Sequence, residues 1–182
     1  MKVASLLSGF VLTTLLASCA TTPAGMGPLE VVPEVDPVRY AGRWYEIARF
    51  QHGFEKSIVG ATAEYTLRDD GTIGVVNSGF KKTLDGRYTS VKAVARVPDT
   101  AAPGRLKVKF FGLFESDYLI FGLDAENYSW ALVGNDSRDY LWFLSRTPEV
   151  DSQTLEMMKN IALGQGYELS GLYLVPQKAR ED

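Results

Sequence analysis

The sequence predicts an all-β protein: an eight-stranded antiparallel up-and-down barrel, followed by a C-terminal α-helix and a final short strand. Apolar, β-branched and aromatic runs recur along the chain, and clusters of turn-forming residues separate each run from the next. Eight strands joined by short hairpins can close into a barrel, which leaves no open strand edge. The predicted strands cover residues 43–50, 59–67, 72–80, 88–97, 105–110, 117–123, 128–134 and 140–145.

Alternation of apolar and polar side chains within single runs supports these strands. In RLKVKF at 105–110, Leu106, Val108 and Phe110 share one face, and the two lysines occupy the other. The run TSVKAVARV at 89–97 separates small and branched apolar residues from Ser, Lys and Arg in the same way. One face of each strand is therefore expected to line the interior of the barrel.

The helix is predicted from the eighth run, YLWFLS at 140–145, which is apolar on both faces and needs a cover on its outer face. The following segment supplies one, because Asp151 is a suitable N-cap and a glycine at 164 or 166 can end the helix. Three apolar residues share one face of this helix: Leu155, Met158 and Ala162. The segment ELSGLYLVP at 168–176 is then expected to form the last strand.

The N-terminal residues are predicted to form an export signal. Lys2 precedes an apolar run over 3–16, which has the length of a signal-peptide core and is shorter than the ~20 residues that span a bilayer. Its end, LASC at 16–19, resembles the bacterial lipobox. The resemblance implies that the signal is cleaved before Cys19 and that this cysteine carries acyl chains such as palmitate, which hold the protein on a membrane. An ordinary signal peptide with an unmodified cysteine is the alternative.

Composition divides the chain into four segments. Residues 1–18 are the predicted lipoprotein signal peptide, and residues 19–35, rich in Pro and Gly, are expected to be the lipidated cysteine and a flexible linker. Residues 36–176 have the size of one domain, and 177–182 form a polar tail. With 19 Lys and Arg against 22 Asp and Glu, the net charge of −3 argues against nucleic acid as a partner.

Three short segments resemble the signatures of the lipocalin family. GRWYEIARF at 42–50 resembles the Gly-x-Trp signature that opens the first strand, and LSRTP at 144–148 resembles the segment with an arginine at the end of the eighth strand. LDAENY at 123–128 keeps the Asp and Tyr of the middle signature but has Leu and Ala where Thr and Tyr are common. Together with the lipobox, these segments resemble the bacterial outer-membrane lipoprotein lipocalins over essentially the whole mature chain.

The resemblance assigns a structural role to one end of the barrel. Successive hairpins alternate between the two ends, so the start of strand one and the ends of strands six and eight lie at the same end. In the family this is the closed end, where the arginine packs over the tryptophan. The residues of this closed-end motif are Gly42, Trp44, Asp124 and Arg146. Ligand contact by Trp44 and Arg146 is the alternative.

The opposite end is then the mouth, framed by loops 51–58, 81–86, 111–116 and 135–139. Two of these loops are unusually apolar for exposed segments. They contribute Phe54, Phe111, Leu113 and Phe114. These residues are expected to form an apolar entrance to the barrel, to pack against one another, or to form a dimer contact.

Strand parity turns a set of apolar residues towards the interior. An eight-stranded barrel has room for side chains or for one small ligand, and the small residues Ala48, Ala93 and Ala95 favour a cavity. Such an interior suits an acyl chain or a similar elongated apolar molecule. The expected ligand-binding residues are Phe50, Val91, Ala93, Val108, Phe110, Tyr118, Tyr140 and Trp142. Glu46, if it lies inside, either recognises a polar head group or braces the barrel.

The resemblance implies a non-enzymatic protein that binds fatty acids or lysophospholipids and stores or transports them in the cell envelope. It would be lipid-anchored to the outer membrane through acylated Cys19 and face the periplasm, and a homodimer is left open. One cysteine and one histidine, His52, predict neither a metal site nor a cofactor. The alternatives are a lipid-modifying enzyme that uses His52 or Glu46, and a structural envelope lipoprotein with a filled barrel.

Overall fold

The computed structural model of the chain describes residues 27–178, so the predicted signal peptide and Cys19 lie outside the described residues. Eight of its strands follow one another as antiparallel neighbours, and a ninth is added at the end of the chain. The elements are α1 (Pro37–Tyr40), β1 (Gly42–Phe50), β2 (Ile58–Leu67), β3 (Ile73–Lys81), β4 (Tyr88–Arg96), β5 (Arg105–Phe110), β6 (Phe114–Leu123), β7 (Trp130–Gly134), β8 (Leu141–Ser145), α2 (Ser152–Gly164), a 3₁₀ turn (Leu169–Gly171) and β9 (Leu172–Leu174).

The barrel closes because β1 pairs with both β8 and β2. The eight-stranded barrel, the C-terminal helix and the final strand are therefore confirmed. The short helix α1 was not predicted, because four residues are too few for a helical period. It begins after Asp36, whose Oδ1 accepts a hydrogen bond from the N–H of Val38 at 2.8 Å, and it has Pro37 at its first position.

The C-terminal segment completes the wall between β1 and β2. Only the first half of β1 pairs with β2, and its last three residues pair with β9 instead. Beyond β9, the carbonyl of Pro176 accepts a hydrogen bond from the N–H of Gly60 (2.7 Å). The Gln177 side-chain amide then donates to the carbonyls of Glu46 (2.7 Å) and Ala61 (3.0 Å). Gln177, the first residue of the predicted polar tail, is therefore hydrogen-bonded to the barrel wall. Residues 179–182 of that predicted tail lie outside the described residues.

Two apolar clusters lie on the two sides of the sheet. The buried residues of the inner cluster, which lies inside the barrel, are Tyr40, Trp44, Ala63, Tyr65, Val75, Ala93, Ala95, Leu106, Val108, Ile120, Tyr128, Ala131, Val133 and Leu144. The outer cluster lies between the barrel wall and α2, where Leu141 and Phe143 of β8 pack with Met158 and Ala162. This confirms the predicted cover. Neither α-helix within residues 27–178 has the length and apolarity needed to cross a membrane.

The hairpin between β5 and β6 is tighter than the sequence suggested. The predicted loop over 111–116 is wrong, because β6 begins at Phe114, which pairs with Phe110. Phe111 and Gly112 hold positive φ values of 51° and 71°. Two consecutive residues with positive φ are typical of a tight hairpin turn, whose twist matches that of the strands. A left-handed backbone conformation is unusual for phenylalanine, and the local sequence does not predict this conformation at Phe111.

The flexible linker expected over 19–35 is wrong for residues 27–35. Leu29 is fully buried in the outer cluster. Further on, the N–H of Val32 donates a hydrogen bond to the carbonyl of Ile120 on β6 (2.9 Å). Pro and Gly therefore indicate here a lack of regular secondary structure, but not a segment detached from the barrel.

Candidate functional site

The closed end of the barrel is organised by one arginine. The Cζ atom of Arg146 lies 3.8 Å from the centre of the Trp44 ring, and this tryptophan is fully buried. The indole N–H of Trp44 donates to the carbonyl of Tyr40 (2.8 Å). The guanidinium of Arg146 donates to three backbone carbonyls, those of Arg39 (2.5 Å), Arg43 (2.8 Å) and Tyr128 (3.2 Å). One side chain thus joins α1, β1 and the β6–β7 turn, which supports a structural role.

Gly42 and Asp124 shape the backbone around this arginine. Gly42 has φ +88°, and a Cβ atom there would lie 3.5 Å from Nη1 of Arg146. The carboxylate of Asp124 accepts hydrogen bonds from the backbone N–H groups of the β6–β7 turn and from the Ser129 hydroxyl (2.5 Å). These bonds hold the turn that presents the carbonyl of Tyr128 to Arg146.

Three tyrosine hydroxyls meet above this end. The hydroxyl of Tyr118 lies 2.8 Å from that of Tyr40 and 2.7 Å from that of Tyr65. Burial raises the pKa of all three phenols, so they stay protonated and exchange hydrogen bonds. Tyr118 therefore points inward, but its hydroxyl belongs to the floor of the barrel. Sequence reasoning missed the other two tyrosines, since partners on α1 and β2 meet β6 only after the barrel closes.

The inward orientation expected for Phe50 and Ala48 is wrong. The pairing of β1 with β8 shifts register between Glu46 and Ala48, which marks a bulge. Because one extra residue reverses the alternation, Ala48 lies in the outer cluster, and the Phe50 ring packs 6.1 Å from that of Tyr167. Beyond the bulge, Arg49 forms an ion pair with the carboxylate of Glu46.

Arg49 holds a charged cluster next to the mouth. Its side chain is fully buried, and its Nη1 donates to the carboxylate of Glu46. Its Nη2 donates to the carbonyls of Glu55 (2.7 Å) and Ile58 (2.8 Å), which ties the β1–β2 loop to the strand. The Oε1 atom of Glu55 accepts a hydrogen bond from the indole N–H of Trp142 (3.2 Å). This cluster favours the bracing role for Glu46, whose carboxylate is already engaged.

Burial shifts the titration of both carboxyl groups. It raises the pKa of Glu46 despite the opposing charge of Arg49. Burial, together with the nearby Glu46 carboxyl, raises the pKa of Glu55 to about 8 from its ordinary value of 4.5. Sequence reasoning singled out Glu46 but missed Arg49 and Glu55. Only the bulge turns Arg49 towards Glu46, and only the folded loop buries Glu55.

The raised pKa of Glu55 predicts a pH-dependent stability. Between pH about 4.5 and 8 the folded chain holds a proton on Glu55 that the unfolded chain releases, so the free energy of unfolding should fall as pH rises through this window. Glu55→Gln should flatten this dependence. Urea unfolding at several pH values within the window measures the effect. Glu168→Gln, at an exposed glutamate, is the control and should keep the wild-type slope. Equal slopes for both variants would contradict the assignment.

The mouth itself carries stacked aromatic rings. Tyr140 lies 5.6 Å from Trp142 and 4.1 Å from His52 between ring centres, and the Phe54 ring stacks on His52 at 5.8 Å. Burial lowers the pKa of His52, which favours the neutral imidazole. Trp142 packs against the inner cluster and connects the mouth to the barrel interior.

The other expected ligand-binding residues lie along β4 and β5. Ala93 and Val108 are buried in the inner cluster, and Phe110 packs against it. Val91 shares the face of Ala93, two residues away, and is half-buried. The structure thus brings four of the expected side chains to one side of the barrel interior.

A groove of about 420 Å³ lies on the outer wall of the barrel rather than in its interior. It is formed by outward-facing residues of β1–β4 together with Gln177 and Lys178. Arg43 and Glu64 form an ion pair in it, with N and O atoms 3.2 Å apart. Its charged lining differs from the apolar surroundings of Ala93. No His, Cys, Asp and Glu side chains within residues 27–178 form a group that could hold a metal ion.

Comparison with known proteins decides the family. The family model of the lipocalin-like domain matches residues 35–177. The chain belongs to the lipocalins. The outer membrane lipoprotein Blc of Citrobacter freundii is 41% identical over 97% of this lipocalin and 98% of its own length. The protein of the same name from Vibrio cholerae is 37% identical over 91% of this chain and 95% of its own.

A solved structure shows the same fold at lower identity. Insecticyanin from the tobacco hornworm Manduca sexta matches this lipocalin with a TM-score of 0.67 and 20% identity, over 86% of this chain and 88% of that chain. The lipoprotein relatives confirm the predicted outer-membrane localisation. Membership of the family supports a protein that binds lipids or other small molecules rather than an enzyme.

Proposed function

We propose that this lipocalin binds fatty acids or lysophospholipids in its barrel and stores or transports them in the cell envelope. The observation that carries the proposal is the apolar inner cluster, which reaches the aromatic mouth at Tyr140 and Trp142. Burial of apolar ligand surface contributes about 25 cal/mol per Å² before the costs of association are subtracted. A long acyl chain offers more of this surface than a compact polar molecule of similar mass.

The acyl chain is proposed to lie along the uncharged faces of β4, β5 and β8. The proposed contacts are Val91, Ala93, Val108, Phe110, Tyr140 and Trp142. Phe50 leaves this set because it packs in the outer cluster. Tyr118 leaves it as well, because its hydroxyl is bonded to two other tyrosines in the barrel floor. A polar head group would then remain near the mouth, where water can solvate it.

The membrane anchor is proposed to be acylated Cys19. Removal of residues 1–18 would leave this cysteine at the start of the mature chain, and two or three acyl chains hold a protein stably where one does so only marginally. The outer-membrane lipoprotein relatives match 91% and 97% of this chain, which supports the same mode of attachment. The protein is proposed to face the periplasm, where it would meet lipids released from the membrane.

Ligand binding is tested by titration of residues 20–182, freed of lipid, with lysophospholipid and fatty acid. We expect a saturable one-site signal in calorimetry and in tryptophan fluorescence. Ala93 is 4% exposed, so Ala93→Trp should fill the proposed site and weaken binding roughly tenfold or more, about 1.4 kcal/mol. Lys92→Trp places the same side chain on the exposed outer face of β4 and should bind like the wild type.

Two other outcomes would favour the alternatives. A flat calorimetric response from folded protein would favour a structural lipoprotein with a filled barrel. The close packing of side chains around Tyr118 at the closed end is consistent with that alternative. Turnover of a bound lipid that His52→Ala or Glu46→Gln abolishes would favour an enzyme. Equal weakening by Ala93→Trp and Lys92→Trp would contradict the interior site and would direct attention to the outer groove.

A further inference from the structure

We infer that the mouth of the barrel rests on the bilayer that holds Cys19, with the apolar tips of two mouth loops in the membrane interface. The inference rests on the proposed acylation of Cys19. Three features of the described residues carry it: the place where the N-terminal segment leaves the barrel, the exposed apolar side chains at the mouth, and the charges beside them.

The N-terminal segment leaves the barrel wall at the mouth. The carbonyl of Gly27 accepts a hydrogen bond from Arg138 in the β7–β8 loop (3.0 Å), and the N–H of Leu29 donates to Asp136 in the same loop (2.7 Å). This loop follows β7 and therefore lies at the end opposite the Trp44–Arg146 pair. From there the chain runs along the outer wall to the closed end.

The other end of this segment is held at the closed end. The N–H of Asp36 donates to the hydroxyl of Tyr128 (2.9 Å), and Tyr128 also binds Arg146 through its carbonyl. Residues 27–36 therefore span the barrel wall from the mouth to the closed end. A lipid on Cys19 would pull on Gly27 at the mouth and not on the first strand.

The length of chain between anchor and barrel is short. Seven residues lie between Cys19 and Gly27, and the eight Cα-to-Cα steps that join the two positions can reach at most about 29 Å. To bring the closed end to the bilayer, these residues would have to run back along the wall that residues 27–36 already span. The short reach therefore favours an orientation in which the mouth faces the membrane.

The mouth presents apolar side chains to its surroundings. Phe54 on the β1–β2 loop is 70% exposed, and Phe111 and Leu113 on the β5–β6 turn are 72% and 78% exposed. Aromatic and aliphatic side chains of this size are stabilised at the boundary between head groups and acyl chains. Phe111 also holds a positive φ of 51°, an unfavourable backbone for an aromatic residue, at the point where its side chain projects outward.

Basic residues accompany these tips. Lys56 follows the Phe54 loop, and the β3–β4 hairpin exposes Lys81, Lys82 and Arg87 against one acidic residue, Asp85. Cations near a membrane surface are attracted by its phosphates and anionic lipids. The β7–β8 loop on the other side of the mouth carries Asp136 and Asp139 with Arg138, so the cations are concentrated beside the β1–β2 and β3–β4 loops. Apolar tips with cations on this side fit a phospholipid surface as the partner of the mouth.

The orientation is tested with the full acylated chain in vesicles of phosphatidylethanolamine and phosphatidylglycerol. Because acylation consumes Cys19, Leu113→Cys or Val38→Cys supplies the single free thiol for an environment-sensitive fluorophore. Val38 is a matched control, since it is apolar, 70% exposed and located in α1 at the closed end. Emission from position 113 should shift to shorter wavelength and be quenched by nitroxide-bearing lipids, whereas emission from position 38 should not.

Each contrary result overturns the inference in a different way. Equal quenching at both positions would contradict the orientation alone. A blue shift at position 113 that nitroxide lipids do not quench, and that grows with protein density in the membrane, would assign the mouth to a second copy of this chain. A chain that does not float with the vesicles would contradict the acyl anchor itself. Lipid binding by residues 20–182 is measured separately and does not depend on any of these results.

A second measurement asks whether the contact matters for lipid transfer. Phe111→Ser combined with Leu113→Ser should slow the movement of a fluorescent lysophospholipid from vesicles to the protein several-fold, while the equilibrium affinity for the free ligand stays unchanged. Val38→Ser should change neither quantity. A double variant that transfers lipid as fast as the wild type would contradict a functional contact between mouth and membrane.

Discussion

Arg49→Met is expected to lower the free energy of unfolding by about 3–5 kcal/mol, which is typical of breaking a buried ion pair from one side. The side chain of Arg49 is fully buried and binds the carboxylate of Glu46. Methionine fills a similar volume but leaves that carboxylate in the barrel without its partner. The two loop carbonyls that Arg49 binds, of Glu55 and Ile58, also lose their donor. Urea unfolding of residues 20–182 measures the loss.

A double-mutant cycle separates the ion pair from simple loss of packing. Adding Glu46→Gln to Arg49→Met removes the stranded charge, so the coupling energy between the two positions should be about 1–3 kcal/mol. The exposed pair of Arg96 and Glu115, whose N and O atoms are 3.1 Å apart, is the matched control. Its coupling should stay below about 1 kcal/mol because solvent screens it. Equal coupling in both cycles would contradict the role of Arg49.

Trp44→Ala is expected to lower the free energy of unfolding by about 3–5 kcal/mol, as is usual when a buried aromatic side chain is removed. Trp44 is fully buried, and its ring lies beneath the guanidinium of Arg146. The variant leaves a cavity in the inner cluster and removes the hydrogen bond to the carbonyl of Tyr40. The shift in the midpoint of urea unfolding, with an unchanged slope, measures the effect.

Two further variants show whether the closed end is structural. Tyr88→Ala removes an aromatic side chain that is 59% exposed on β4 and should cost about 0.5 kcal/mol. Arg146→Lys keeps the positive charge but replaces the planar guanidinium with a compact ammonium group. The ammonium group cannot donate to all three backbone carbonyls, so this variant should also destabilise the fold. If Trp44→Ala unfolded no more easily than Tyr88→Ala but lost lipid binding, Trp44 would be a ligand contact instead of a structural residue.

The strands of the barrel could be predicted because short, local sequence patterns indicate them. Period-two alternation and the turn clusters are properties of short segments, and they located all eight strands. The doubly apolar run at 140–145 predicted a cover, and α2 packs on Leu141 and Phe143 through Met158 and Ala162. The Gly-x-Trp segment indicated the family for the same reason, since a signature is read in neighbouring residues.

The inner side of β1 was decided by tertiary structure. The bulge between Glu46 and Ala48 arises in the pairing with β8, and beyond it the other edge of β1 pairs with β9 from the end of the chain. The residues near position 47 do not indicate that β1 will pair with β8 and β9. The bulge nevertheless sends Phe50 to the outer cluster and turns Arg49 towards Glu46. The buried charge at the mouth is therefore a consequence of barrel closure.

The place of residues 27–35 was decided in the same way. Their composition excludes a regular helix or strand, which the sequence by itself determined correctly. Whether such a segment is detached from the barrel or packed on its wall depends on hydrogen-bond partners far along the chain, such as Ile120 and Asp136. Local propensity describes the backbone of one segment, whereas contacts between distant segments exist only after the fold has formed. Strand order and signatures could thus be predicted from the sequence, and the position of residues 27–35 on the barrel wall could not.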